Sequence, residues 1–381
     1  MARCPLRDFD PTDQRRDLPA AVREPPRTVQ TMKKRSPPVS RLPVGDRATS
    51  GGGGWLPALT LSLLAQGCAA PSSPPHAATL APPVIGYSGM TPLDATTYLV
   101  VHDFKSAGPR LGLLRVAGPG APRYEPLESA DWPSPDRRAT DLEAVCTLPG
   151  GGFLAAESGP SAGREGWMFH FDLRDHAPQW RRTLSLPSGA PHPHNFEGLA
   201  CAPRRDGTVL LLLGERGGSA SYPQGRLYWG VFDPAAGTMF WPPAGQVGVA
   251  VNPPGPWLNP REKRAIADLY LAADGALWAV ASEDGGDPGP FRSVIYRAAT
   301  VRPDHDPPVA IAPQPRAAWR LDGLKVESLA GPAAIPGSVL SVATDDEQYG
   351  GIWRPLYRAL PEGNRERAAL PPAPRPAGKA R

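Results

Sequence analysis

The chain reads as an all-β protein, most simply a β-propeller, and two observations predict this. From Pro83 onward it is a succession of short β-prone runs bounded by Gly, Pro or Asp: "TTYLVVHD", "GGFLAAES", "GTVLLLLGE", "GALWAVASE" and "GSVLSVATDD". These runs also recur in a fixed order. An apolar run interrupted by an acid comes first, then a turn, then one of the runs above ending in an acid, then a third run such as "GWMFHFDL" or "GRLYWGVFD". A unit of roughly 50 residues holding three or four strands matches a propeller blade, which cannot bury its own faces and stacks radially on its neighbours. With 41 glycines and 51 prolines among 381 residues, the chain has material for many turns and few long helices.

Taken in order, residues 1–50 are Pro- and Arg-rich and show neither helical nor strand periodicity. The apolar stretch from Trp55 to Ala65 is too short for a transmembrane helix and has the length of a signal-peptide core. "LLAQGC" resembles a bacterial lipoprotein signal, with Gly67 before the cysteine that would be lipidated, Cys68. Met32, followed by Lys33, Lys34 and Arg35, is a candidate start. Residues 1–68 are therefore expected to be a leader and signal, residues 69–82 a Pro/Ser-rich tether, and residues 361–381 a tail without structure. Export to the periplasm or the outer face of a bacterial envelope follows, with membrane contact only through the lipid.

Between them, residues 83–360 form the propeller. A degenerate first copy holds "GYSGM" and "VVHDF". Four clearer copies place the interrupting acid at Glu143, Glu197, Asp268 and Glu327, and the strand-ending acid at Glu157, Glu215, Glu283 and Asp345, with Asp103 in the first copy. The long stretch from Glu197 to Asp268, through "FWPPAGQVGVAVNPPGPWLNP", has room for extra strands, so six blades are expected, with five or seven as alternatives. Only "PREKRAIADLYLA" hints at helix, and its Asp-Leu-Tyr part fits a strand better.

Innermost strands of a propeller surround a central channel, and equivalent positions in radial blades occupy equivalent places about the axis. Glu143, Glu197, Asp268 and Glu327 are thus expected to share one polar space, where singly buried charges would be costly. Hard carboxylate oxygens suit Ca²⁺ or Mg²⁺. The structural alternative is that each acid accepts backbone N–H groups of the next blade. "EDGGDPG" gathers Glu283, Asp284 and Asp287 around paired glycines in a turn that brings carboxylates together, or in a solvated loop.

"DLEAV…GGGFLAAESG", "NFEGLAC…DGTVLLLLGERG" and "KVESLA…GSVLSVATDDE" resemble the bacterial phytase-like, or esterase-like, β-propeller domains over about residues 83–360. The resemblance implies a propeller, export, and hydrolysis of a phosphate or carboxylic ester. Related calcium-dependent phytases bind several cations through channel acids, which makes Ca²⁺ the implied cofactor.

Other residues bear on that chemistry. His102 beside Asp103, and His192 and His194 just before Glu197, are candidate general bases or ligands. Arg216, Arg292 and Arg354 lie near the acid clusters and are candidates for holding an anionic ligand, or for pairing those acids. Ser158 and Ser282 flank acids, but no G-x-S-x-G elbow exists. Metal-assisted hydrolysis needs only the acids and a cation. Cys146 and Cys201 follow Glu143 and Glu197 at offsets that point to opposite strand faces, so two buried free thiols are expected, with a disulfide in an oxidising compartment as the alternative. The net charge of +4 sits largely at the ends, so no nucleic-acid face is expected. The expectation is a monomer that binds a small, anionic molecule at its channel mouth, either as a metal-dependent ester hydrolase or as a non-catalytic binding propeller.

Overall fold

Short apolar runs between Gly, Pro and Asp turns form five antiparallel sheets in a computed structural model. It describes residues 85–358 apart from 105–107, 117–120, 128–130, 161–163, 188–193 and 219–223. The leader, Cys68, the tether, His192 and the tail (361–381) lie outside the described residues. Among the described residues no helix is long and apolar enough to cross a membrane.

Blade 1 holds β1 (Gly89–Pro92), β2 (Thr97–Val101), β3 (Leu111–Arg115) and β4 (Arg123–Leu127). Blade 2 holds β5 (Leu142–Thr147), β6 (Phe153–Glu157), β7 (Trp167–Arg174) and β8 (Ala177–Ser185). Blade 3 holds β9 (Phe196–Pro203), β10 (Val209–Glu215), β11 (Arg226–Asp233) and β12 (Thr238–Phe240). The short helix α1 (Pro243–Val247) then leads to β13 (Val249–Ala250), which also pairs with β11. Blade 4 holds β14 (Lys263–Leu271), β15 (Ala276–Glu283), β16 (Arg292–Val301), β17 (Val309–Ile311) and β18 (Ala317–Asp322). Blade 5 holds β19 (Val326–Ala330), β20 (Ser338–Thr344) and β21 (Trp353–Tyr357).

The ring closes on itself. β1 packs on β5, β5 on β9, β9 on β14, β14 on β19, and β19 back on β1. The protein is therefore a β-propeller whose first strands surround the axis. Each of its five apolar cores is shared by two adjacent blades. Leu99 and Leu113 of blade 1, for example, meet Leu142 and Phe169 of blade 2. Ala330 and Ala343 of blade 5 meet Tyr98 and Val100 of blade 1. Burying a leucine, valine or phenylalanine side chain is worth about 1.5–3 kcal/mol, so the blades hold one another together through these faces. Just before β1 the Tyr87 N–H donates to Thr344 O, and Gly351 N–H donates to Ile85 O, tying the start of the domain to blade 5.

The count is five blades, not the six expected. The long stretch after Glu197 adds β12 and β13, which both pair with the outer edge of β11, and a loop. Prolines 242, 243, 253, 254 and 256 lie in it, and proline cannot donate to a sheet ladder, so the added length stays at the edge and makes no further sheet. The loop is held by Glu283, which accepts the N–H groups of Leu258 and Asn259.

The cysteines also depart from expectation. Cys146 and Cys201 form a disulfide with their Cα atoms 6.0 Å apart. Opposite strand faces are what brings them together. In a radial stack the forward face of β5 meets the backward face of β9, and Cys146 packs in the core shared by blades 2 and 3, with Cys201 against it.

Candidate functional site

All five inner strands run the same way, so their starts gather at one end of the axis, here called the upper end. There the ladder is irregular in a repeated manner. Leu142 pairs with Glu157 and Ala144 with Ala156, leaving Glu143 without an opposite residue. Glu197 is skipped between Phe196 and Gly198, and Glu327 between Val326 and Ser328. Such bulges re-aim a side chain. In three blades they free a glutamate from the two packed faces of its sheet and bring it toward the others. Glu143 lies within electrostatic reach of both Glu197 and Glu327.

Asp268 does not join them. In β14 the sequence Ile266-Ala267-Asp268-Leu269 puts alanine where the other blades have glutamate, and Asp268 where they have Ala144, Gly198 and Ser328. Val145, Leu199, Leu269 and Leu329 line one recess, which fixes this alignment. Space at that position is small: a Cβ on Gly198 would lie 2.8 Å from the Leu269 side chain. Asp268 is buried there and accepts the N–H of Leu269 at 2.7 Å and of Leu329 at 2.6 Å. Burial raises its carboxyl well above the usual range, against the stabilising N–H donors of Leu329, Leu269 and Leu199. It pins blades 3, 4 and 5 together, the structural role that backbone acceptance implies.

The place of a fourth acid is taken by a cation. Arg264 of β14 donates from Nη1 to Glu327, lies 3.6 Å from Glu197 Oε1, and donates from Nη2 to Asp284 at 2.5 Å. Burial works against its charge, but Glu197, Glu327 and Asp284 outweigh this and hold it protonated. Lys325 lies 3.1 Å from Glu327 Oε1 and is bonded to Glu347. It too is kept charged despite burial, chiefly by Glu327. Arg216 donates to Glu197 Oε1 at 3.1 Å and stays partly open, its side chain 23% exposed.

On the side of blades 1 and 2 the upper end is acidic. Asp103, Asp141 and Glu143 each offer an oxygen, and these three atoms lie within 4.8 Å of one another. Asp141 has a left-handed backbone (φ 57°), which Asp tolerates better than most residues, and it accepts the Ser158 hydroxyl at 2.5 Å. Glu143 keeps some exposed surface but sits deep among protein atoms. Burial, then the charges of Asp141, Glu197, Asp103 and Glu327, push its carboxyl well above the ordinary range. Arg110 acts electrostatically on Asp103 from the neighbouring turn. Asp345, just past β20, is raised to about 7 by burial and by Glu327, with Lys325 opposing. A Cβ on Gly86 would lie 2.2 Å from that carboxyl group, so the backbone there passes directly against it.

The remaining candidates fall elsewhere. His102 is buried, with Nδ1 2.6 Å from Gly86 O and Nε2 3.0 Å from the Tyr124 hydroxyl. Burial lowers it to about 4, and both nitrogens are engaged, so it is a neutral strut and not a general base. His194 stacks on Phe196 at 4.7 Å over the core between blades 2 and 3, with Glu215 Oε1 3.7 Å away. Arg292 donates to Asp322 at 2.5 Å and to Pro256 O at 3.2 Å. Arg354 is exposed on β21, the outermost strand of blade 5. Only Arg216 of the three arginines is at the axis. Glu157 accepts the N–H groups of Thr140 and Trp167 and pairs with Arg164 at 2.7 Å. Ser282 donates to Val326 O at 2.7 Å. The "EDGGDPG" turn separates its acids: Glu283 holds the long loop, Asp284 faces Arg264, and Asp287 is exposed.

Sequence reasoning missed Arg264, Lys325 and Asp141. The signal for two of them was present. Asp141 and Lys325 are polar residues two places before Glu143 and Glu327, as Asn195 is before Glu197, so the repeat itself carries a second polar position.

No protein-family model matches the chain, and no curated protein matches it. Among solved structures it is similar to an endo-arabinase from Bacteroides thetaiotaomicron VPI-5482, with 13% identity, 72% of this chain and 98% of that one covered, and a TM-score of 0.42. A thermostable family-43 glycoside hydrolase gives 9% identity, coverage of 73% and 95%, and a TM-score of 0.44. An exo-1,5-α-L-arabinanase from a bovine ruminal metagenomic library gives 10%, 68% and 87%, and 0.40. Similarity at this level says nothing of what this chain acts on; the closed ring of inner strands is what establishes its fold.

Proposed function

We propose that this chain is an exported propeller whose upper axial end binds a small anionic ester together with a divalent cation and hydrolyses it. One observation carries the reading: the charged side chains at the upper end are divided by sign. Asp103, Asp141 and Glu143 converge on one side, and Arg216, Arg264 and Lys325 from three blades gather on the other. The oxygen-only donor set fits a hard cation, Ca²⁺ or Mg²⁺. A bound cation would supply Lewis acidity and lower the pKa of water. Arg216, the most open of the three cations, would take the anionic group of the ester, and Asp345, with a carboxyl near neutrality, would accept a proton.

The Cys146–Cys201 disulfide supports export, since disulfides persist in oxidising compartments. So does the lipoprotein-type signal ending at Cys68, through which the only membrane contact would be made.

A second reading, a non-catalytic binding propeller at the cell envelope, is favoured by a different observation. Arg264 and Lys325 are already engaged by Glu327, Asp284 and Glu347.

Calcium titration followed by thermal unfolding tests the first reading, together with turnover of chromogenic phosphate and carboxylic esters. A native-state cation at a hundredfold excess over its Kd should stabilise by about 2.7 kcal/mol. Glu143→Gln should abolish most of that gain. A melting temperature indifferent to calcium, magnesium and chelator would remove the cation, and no turnover with a retained cation response would leave the binding reading.

A further inference from the structure

The lower end of the axis differs from the upper. A recess of about 180 Å³ opens there, walled by the later residues of all five inner strands, including Met90, Val145, Leu199, Leu269 and Leu329. Both Cys146 and Cys201 line it. The two cysteines are not equally sheltered. Cys146 is 5% exposed, whereas Cys201 is half-buried and also borders a second hollow of about 650 Å³ between blades 3 and 4.

The bond joins β5 to β9, neighbouring inner strands that share no ladder hydrogen bonds with each other. A little upstream the same two strands carry Glu143 and Glu197 at their bulges. This covalent link joins the two strands directly, beside the apolar core between the blades and the Phe196 N–H that donates to Ser158 O at the upper end.

We propose that the Cys146–Cys201 disulfide is a thiol-exchange site, entered through the lower recess by a small thiol, and that its reduction loosens β5 and β9 where they carry Glu143 and Glu197. Access decides the direction of attack. The entering thiolate bonds to Cys201 Sγ, the Cys146–Cys201 bond breaks, and Cys146 leaves as a thiolate that takes up a proton. With a dithiol, the second thiol of the reductant then displaces Cys201 Sγ. The protein ends with two thiols, and the reductant is oxidised to its own disulfide. This inference does not rest on the cation or on hydrolysis.

The folded, full-length protein is treated with glutathione or dithiothreitol without denaturant, and adducts are mapped by mass spectrometry. Backbone hydrogen exchange is then compared for the oxidised and reduced protein. The glutathione adduct is expected on Cys201 first. On reduction, amides 142–145 and 196–199 should exchange at least about tenfold faster, while those of blade 5 change little. Cys146→Ser/Cys201→Ser should match the reduced protein; if that variant does not fold, the chemically reduced wild type decides. The proposal is overturned if the bond is released only in denaturant, if the first adduct is on Cys146, or if exchange in β5 and β9 is unmoved by reduction.

Discussion

Arg264 of blade 4 donates a hydrogen bond to Glu327 of blade 5, and so stands where the repeat would otherwise bring a fourth carboxylate to the axis. Its guanidinium also faces Glu197 and Asp284, and only 13% of its side chain is exposed. A ring of bare carboxylates would repel itself; Arg264, together with Arg216 and Lys325, offsets Glu197 and Glu327 there.

Arg264→Met should therefore destabilise strongly. Arg216 still faces Glu197 and Lys325 still faces Glu327, but the buried carboxylates then outnumber their cations, a loss of up to about 3–5 kcal/mol. Adding Glu327→Gln to that variant should recover part of the loss, which a double-mutant cycle in urea would read as a coupling energy. Additive effects would mean that the contact has no energetic role.

Asp345 predicts a pH dependence. Its folded pKa, about 7, lies above its ordinary 3.8. A group raised on folding contributes stability that is fully present below the unfolded value and is lost as pH rises through the folded one. In the absence of divalent cations that contribution should fade between about pH 4 and 7. Asp345→Asn should remove it, so the melting temperature of the variant relative to wild type should climb across that window. A constant difference would show that Asp345 does not titrate there.

Asp268 separates structure from function. Asp268→Ala takes away the acceptor for the buried N–H of Leu329, at a cost of about 1–3 kcal/mol for each donor left unpaired. Chemical denaturation should show the loss, while calcium should stabilise the variant as much as it stabilises wild type. A lost calcium response with intact stability would place Asp268 at the axial site after all.

The sequence by itself determined the all-β class, the repeat and the strand-ending acids, since period-two alternation and Gly/Pro turns are local properties of the chain. β6, β10 and β15 end on Glu157, Glu215 and Glu283 as the repeat indicates, and Asp103 and Asp345 follow β2 and β20 closely. Glu143, Glu197 and Glu327 were legible for the same reason. Only the tertiary structure decided the rest. An extra residue in a ladder cannot be seen without its partner strand, so the bulges, and the one-place offset of Asp268, were hidden. Blade count depends on which edge the residues after Phe240 join. Cys146 and Cys201 meet because opposite faces of adjacent sheets confront each other, and Arg264 and Lys325 reach the carboxylates across blade boundaries. These are relations between distant segments, set by radial packing, and no spacing within one strand encodes them.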